Sequence, residues 1–291
     1  MRIADIYKTV EPVLSLEVFP PKPGYSLKTV FHTLDGLVDL NPSFVSVTYA
    51  SQGESTNRTV DIASRVRDQY HCESLAHMTC IGHTRKEVSS VLDNLEVHSV
   101  RNVLALRGDM PSDPSEVRLS RDYHYASELI AEIASRGSFC VGAAAYPEGH
   151  IESRRISHDL DNLKGKVDAG AEFLITQLFF DNRIFYDFME RVRYRSIQVP
   201  VVPGIMPILN YKQIKRILMM CEVSIPAKLL NMFDKYSHDP ADLAKAGIDY
   251  AIEQISDLVD EGAQGIHLYT MNRIPQIREI IFRSGLRGKS E

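Results

Sequence analysis

No stretch of this 291-residue chain approaches the roughly 20 consecutive apolar residues of a membrane-crossing helix. The opening Met1-Arg2-Ile3-Ala4-Asp5 lacks the apolar core of a secretory signal. Both absences set the expectation of a cytoplasmic protein with no membrane partner. Cysteine is scarce: residues 72, 80, 140 and 221 form no Cys-x-x-Cys pair, so neither a zinc knuckle nor a redox dithiol is expected, and no metal site. Positive charge is also short. The 33 basic residues fall below the 38 acidic ones, a net charge of −5, which argues against nucleic acid as a partner while leaving room for a local anion site. A glycine-rich dinucleotide fingerprint is missing too. The first apolar run is followed by Phe19-Pro20-Pro21-Lys22-Pro23-Gly24, not Gly-x-Gly-x-x-Gly, so a doubly wound nucleotide fold is disfavoured.

What the chain does have is alternation. Apolar strand candidates fall near 13–19, 43–49, 73–79, 100–107, 138–146, 172–179, 199–204 and 264–270. Segments with helical spacing lie between them, at 26–39, 56–70, 84–97, 120–136, 153–169, 181–194 and 210–221, with a last helix from about 273. Eight parallel strands with crossover helices predict an α/β fold, a (β/α)8 TIM barrel. The surplus, 222–263, carries Ile225-Pro226 and His238-Asp239-Pro240 as helix-start punctuation, predicting extra helices inserted before the eighth strand. With no linker-like composition shift, 1–291 reads as a single barrel domain.

In such a barrel the chemistry sits at the carboxyl ends of the strands. Within Val13–Phe19, period-two alternation puts Ser15 and Glu17 on one face and Leu14, Leu16 and Val18 on the other. Glu17 is either a proton donor at a barrel mouth or an edge-strand carboxylate reaching water. Later runs close with Thr48 and Tyr49, with His77 and Thr79, with Arg107, Gly108 and Asp109, with Tyr146 and then His150, and with His267, Tyr269 and Thr270. Taken singly, each has an ordinary reading: His77 as a satisfied core residue, Gln177 bonded to backbone, Tyr269 packed, Arg107 and Asp109 as a surface ion pair. Their convergence on one set of ends, with the opposite ends expected to lack such groups, is the asymmetry of an active site. In 153–169, Asp159, Asn162 and Lys166 recur beside the apolar stripe of Ile156, Leu160, Leu163 and Val167. That flank, downstream of Tyr146 and His150, suits a ligand bearing hydroxyls and phosphates.

A series of motifs then resembles one family. Ser15-Leu16-Glu17-Val18-Phe19-Pro20-Pro21, Val45-Ser46-Val47-Thr48-Tyr49, His77-Met78-Thr79-Cys80, Ala105-Leu106-Arg107-Gly108-Asp109-Met110-Pro111, Ala144-Ala145-Tyr146-Pro147-Glu148, Lys166-Val167-Asp168-Ala169-Gly170-Ala171, Thr176-Gln177-Leu178-Phe179-Phe180 and Tyr269-Thr270-Met271-Asn272-Arg273 are similar, in order, to the motifs of the FAD-containing bacterial methylenetetrahydrofolate reductases. The resemblance implies a (β/α)8 barrel, bound FAD, NADH or NADPH as co-substrate, and homo-oligomers. It implies a ping-pong reduction of 5,10-methylenetetrahydrofolate to 5-methyltetrahydrofolate in one-carbon metabolism and methionine biosynthesis. Glu17 falls at the position of the general acid, with Asp109 beside it as stabiliser of the cationic intermediate. Thr48, Tyr49, Ser51, His77, Arg107, Gly108, Asp109, Ala126, Tyr146, His150, Asp159, Asn162 and Lys166 fall at FAD-contacting positions. Asp109, Gln177, Tyr269 and Arg273 fall at folate-contacting positions, with Gln177 also meeting the nicotinamide. Gly165 stands where an arginine is common, and Val18 where a phenylalanine is. No regulatory domain is expected after the barrel. Two other readings remain: a flavin-free reductase on this barrel, and a folate-binding barrel that needs a partner subunit.

Overall fold

The computed structural model describes residues 1–8, 12–21, 24–49, 55–109, 122–150, 152–153, 155–221, 223–236 and 238–286. Nine parallel strands form one sheet: β1 (Val13–Val18), β2 (Phe44–Val47), β3 (Glu73–Thr79), β4 (Asn102–Leu106), β5 (Cys140–Ala145), β6 (Phe173–Thr176), β7 (Val201–Val202), β8 (Gly204–Ile205) and β9 (Gly265–Tyr269). Each of β1 to β6 pairs with the next in sequence, and β9 pairs with both β1 and β8. The predicted seventh strand is therefore two short pieces. Pro203 separates them, since proline has no N–H for the ladder: β7 pairs back to β6 while β8 pairs forward to β9. Across that break the sheet closes into the barrel.

The helices are α1 (Ile3–Ile6), α2 (Lys28–Asp35), α3 (Ser55–Asp68), α4 (Arg85–Val97), α5 (Ala126–Ser135), α6 (Ile156–Asp168), α7 (Asn182–Tyr194), α8 (Tyr211–Cys221), α9 (Ala227–Tyr236), α10 (Pro240–Asp260) and α11 (Ile274–Ser284). Of the helix predicted at 120–136, residues 120 and 121 lie outside the described residues, and α5 begins at Ala126. The two helices expected in the insertion are α9 and α10. Asp239 caps α10 by accepting from the Ala241 N–H at 2.8 Å, and Pro240 takes the first turn, where no N–H is needed.

Alternation sorts the core into shells. Leu14, Leu16 and Val18 face outward into the layer between barrel and helices, while Val13, Phe44, Leu75, Leu104 and Phe173 fill the barrel interior. A third cluster joins α8, α9 and α10 to the carboxyl end of the barrel, with Tyr269 packed against it. Helix α1, which the sequence pattern did not reveal, plugs the amino end with Ile3 and Ile6. The expectation that this end lacks polar groups is overturned. Glu73, buried Asn102 and Glu172 gather there: Asn102 Oδ1 accepts from the Ile3 N–H at 2.9 Å, and Glu172 pairs with Arg2 at 2.5 Å. These groups satisfy the plug, whose exposed backbone donors need partners once buried.

Candidate active site at the barrel mouth

Glu17 points into the barrel and is only 5% exposed. Parallel register sets Ser46 of β2 and Tyr269 of β9 beside it. Two imidazoles approach the same carboxylate oxygen, Oε2: His267 Nε2 at 3.2 Å and His77 Nε2 at 3.4 Å. Each imidazole meets a serine, with Ser15 Oγ 2.8 Å from His267 Nδ1 and Ser46 Oγ 2.5 Å from His77 Nε2. Burial drives His77 down to about 4, opposed by Glu17 and assisted by His267, so at neutral pH it is a neutral ring. Burial foremost, then Glu17, raises the Tyr269 phenol well above its ordinary value, so it keeps its proton and donates a hydrogen bond to the Thr176 carbonyl at 2.8 Å. Gly204 permits that contact. A Cβ there would stand 2.4 Å from the Thr176 carbonyl oxygen and 2.8 Å from the Tyr269 ring.

Beside this cluster a cavity of about 660 Å³ opens between the ends of β4 and β5, α5 and α6. Arg107, Ala126, Tyr146, His150, Asp159, Asn162 and Lys166 all line it, so the polar flank of α6 and the ends of two strands meet one space. Glu17 and His77 do not line it. The link between the two regions is Tyr269, which lies within electrostatic reach of both Glu17 and the Tyr146 phenol on the cavity wall.

The charges in the cavity are matched. Arg107 holds Glu152 through two bonds of 2.5 and 2.6 Å, and each raises or lowers the other toward its charged form. The Lys166 amine turns inward to the Ala144 carbonyl at 2.9 Å, 5.4 Å from the Tyr146 ring centroid. Burial lowers Lys166 to about 8, Asp159 opposing the shift and Arg107 adding to it. Asp159 also accepts from the His150 N–H at 2.7 Å, a contact that needs the left-handed turn at Gly149, φ +94°. Burial and Arg107 lower His150, whose ring meets Tyr146 edge-on at 4.8 Å, and burial with Asp109 pushes Tyr146 up to about 12. At Gly165 a Cβ would meet nothing within 4 Å, so the cavity wall is open at that point.

The other predicted residues stand outside this cavity. Partly exposed Thr48 and Tyr49 follow β2, the Tyr49 hydroxyl lying 3.0 Å from His83 Nε2. Gly108 and exposed Asp109 follow β4, and the ion pair considered between Arg107 and Asp109 gives way to Arg107 with Glu152. Gln177 turns its side chain back to accept from the Leu178 N–H at 3.0 Å. Arg273 is exposed at the start of α11. Ser51 lies outside the described residues. Sequence reasoning placed Ser15 and Glu17 on one face and counted His267 among the polar strand ends, but it assigned no part to Ser15 or Ser46 and no contact between His267 and Glu17; serines within apolar strands were the available signal. It also missed Asn272, whose amide bonds both the N–H and the carbonyl of Phe19, at 3.0 and 2.9 Å, extending β1 past its end. Nothing in the sequence marked Glu152. Among the described residues, no group of three or more His, Cys, Asp or Glu side chains could hold a metal ion, and no helix is long and apolar enough to cross a membrane.

Comparison with known proteins follows the same outline. The family model described as methylenetetrahydrofolate reductase matches residues 2–285. A 5,10-methylenetetrahydrofolate reductase of Escherichia coli K12 is 35% identical over 274 residues, 94% of this chain and 91% of that protein. The protein of that name from Pectobacterium carotovorum is 34% identical over the same share of the chain and 90% of its own length. Methylenetetrahydrofolate reductase (NADH) 1 of Arabidopsis thaliana is 33% identical over the whole chain, which spans 52% of that protein. Among solved structures, a Clostridium thermocellum protein described as binding two copies of 5-methyl-5,6,7,8-tetrahydrofolic acid superposes with a TM-score of 0.65 over 96% of each chain at 14% identity, a likeness of fold.

Proposed function

The chain belongs to the methylenetetrahydrofolate reductase family, and on that premise we propose that it reduces 5,10-methylenetetrahydrofolate to 5-methyltetrahydrofolate with bound FAD and a reduced nicotinamide donor. The carrying observation is the buried carboxyl of Glu17 at the mouth, with two imidazoles at the same oxygen, beside a cavity whose lining brings Arg107 and Lys166 together with Asp159 and Asn162. The cavity's volume is within the roughly 300–1,000 Å³ typical of cofactor sites. Its lining fits a dinucleotide: Arg107 and Lys166 offer charge to a pyrophosphate, Asp159 and Asn162 offer acceptors and donors to ribose hydroxyls, and Tyr146 offers a flat wall. Thr48, Tyr49, His77, Gly108, Ala126 and His150 would complete the hold, with Asp109, Gln177, Tyr269 and Arg273 reserved for folate. The chemistry a bound flavin supplies is hydride relay between nicotinamide and folate.

The chain's own part is acid chemistry and placement. The bridging methylene of the folate accepts hydride only after its five-membered ring opens, which requires a proton on the leaving nitrogen. Glu17 would deliver that proton. His77, held neutral by burial, withholds the salt bridge that would lock the carboxylate in its ionised form. The exposed carboxylate of Asp109 would stabilise the resulting cation, and Arg273 would pair with the folate's glutamyl tail. We read the barrel as one catalytic unit working in the cytoplasm on small-molecule substrates, as a homo-oligomer.

The test is the absorption spectrum of the purified chain followed by nicotinamide oxidation and product analysis with methylenetetrahydrofolate. A yellow protein that forms methyltetrahydrofolate is expected. A colourless protein that still turns over would replace this reading with the flavin-free reductase, and a chain inert until a second subunit is added would replace it with the partner-dependent barrel.

A further inference from the structure

The two imidazoles beside Glu17 are not equivalent. His77 Nε2 lies 2.5 Å from Ser46 Oγ and 3.4 Å from Glu17 Oε2, so its nearer partner is the serine. His267 Nε2 lies 3.2 Å from the same Oε2, and among the described residues it is the one side chain in hydrogen-bond geometry with the Glu17 carboxyl. Both contacts fall on Oε2. Among the described residues none falls on Oε1.

The His267 ring is boxed in. It is fully buried, lies nearly parallel to Phe44 with centroids 6.4 Å apart and an interplanar angle of 22°, and meets Tyr269 edge-on at 5.3 Å. Parallel register places it beside Ser15 of β1, whose Oγ stands 2.8 Å from Nδ1. Each ring nitrogen thus has a partner, Ser15 at one end and Glu17 at the other.

Ser15 decides which nitrogen carries the imidazole proton. Its hydroxyl has one proton to give, to Nδ1 at 2.8 Å or to the Ile266 carbonyl at 3.3 Å, and the shorter contact is the one to the imidazole. Donation to Nδ1 leaves the imidazole proton on Nε2, facing Oε2. Oε2 then accepts a hydrogen bond whether Glu17 is ionised or not, and the carboxyl proton sits on Oε1. A bare Nε2 would do the opposite, drawing the acid's proton to Oε2 and holding it there. We propose that His267, set by Ser15, is a positioning residue that anchors Glu17 through Oε2 and assigns proton delivery to Oε1; this rests on Glu17 being the acid of the folate half-reaction.

A donor at Oε2 stabilises the carboxylate more than the acid, because a hydrogen bond to a charged acceptor is the stronger one. Losing it raises the pH at which Glu17 gives up its proton. The other groups facing Glu17 are His77 of β3, Tyr269 of β9 and, one contact away, Ser46 of β2. Tyr269 spends its hydrogen bond on the Thr176 carbonyl.

Two amide substitutions separate anchoring from packing. His267→Gln can set a side-chain N–H where Nε2 was, whereas His267→Asn ends near the position of Nδ1, within reach of Ser15 and short of Glu17. The readout is the pH profile of the folate half-reaction, measured by stopped flow on the prereduced holoenzyme from neutral to alkaline pH. His267→Asn should move the falling limb upward by about 1 pH unit and lower the plateau about tenfold, while His267→Gln stays within about 0.2 unit of wild type. Ser15→Ala should move the limb the same way by about 0.5 unit. Nicotinamide oxidation and flavin spectrum stay at wild-type values in all three. A His267→Asn limb that stays at the wild-type pH overturns the proposal, as does an equal shift in His267→Gln or a loss shared by both half-reactions. Should His267→Asn yield no folded protein, an unshifted Ser15→Ala limb overturns it alone. Retention of folate reduction by Glu17→Gln would instead remove the acid assignment beneath the proposal, and the proposal with it.

Discussion

Lys166 offers a proton-linked test of the cavity. Its amine is lowered to about 8 because burial disfavours the charged form more than Asp159 restores it. The sign follows from linkage. In the free protein Lys166 loses its proton as pH rises through about 8; an anion in the cavity favours the charged amine, so binding draws a proton back on. Affinity for a phosphate-bearing flavin should be full below that pH and fall by about tenfold, or about 1.4 kcal/mol, per pH unit above it. Neighbouring groups leave the window clear: Arg107 is raised by Glu152, Tyr146 stands near 12, and His150, lowered from its ordinary value, is already neutral. Fluorescence titration of the flavin-free protein with FAD over pH from about 7 to 10, alongside riboflavin, reads the slope. FAD should show it, riboflavin should not, and Lys166→Met should flatten it at a lower affinity. A flat FAD profile, or a slope that survives in Lys166→Met, refutes the reasoning.

Three further outcomes follow from the same geometry. Glu17→Gln should bind flavin and oxidise the nicotinamide normally while losing about 10²- to 10⁴-fold in folate reduction, read by separating the half-reactions; equal loss in both would deny a role confined to acid catalysis. Gly204→Ala should cost about 1–3 kcal/mol in urea denaturation, since its Cβ meets the Thr176 carbonyl oxygen at 2.4 Å, and stability within error of wild type would show that the seam relaxes freely. Asp159→Ala removes both the acceptor of the His150 N–H and the carboxylate that opposes the lowering of Lys166. Flavin should wash out on gel filtration while circular dichroism is unchanged, and a variant that stays yellow would exclude Asp159 from the hold.

Local rules go a long way in this chain. Period-two alternation put Ser15 and Glu17 on one face and Leu14, Leu16 and Val18 on the other, because side-chain direction along a strand depends only on neighbouring residues; barrel closure made the first face the inward one. Helical spacing gathered Asp159, Asn162 and Lys166 on one flank of α6 for the same reason, and Asp239-Pro240 announced α10. The eight-fold alternation was enough for the barrel.

Everything that joins distant segments had to await closure. Which imidazoles meet Glu17 depends on parallel register between β1 and β9 and on curvature bringing β3 across to β1, at separations of 250 and 60 residues along the chain, where no periodicity reaches. Glu152 as the partner of Arg107, the break at Pro203 that splits one strand between two neighbours, and the plug that seats Ile3 and Ile6 in the barrel interior are likewise products of the closed barrel. Residue type and spacing determined which side chains could do chemistry; the sheet's closure alone decided which of them touch.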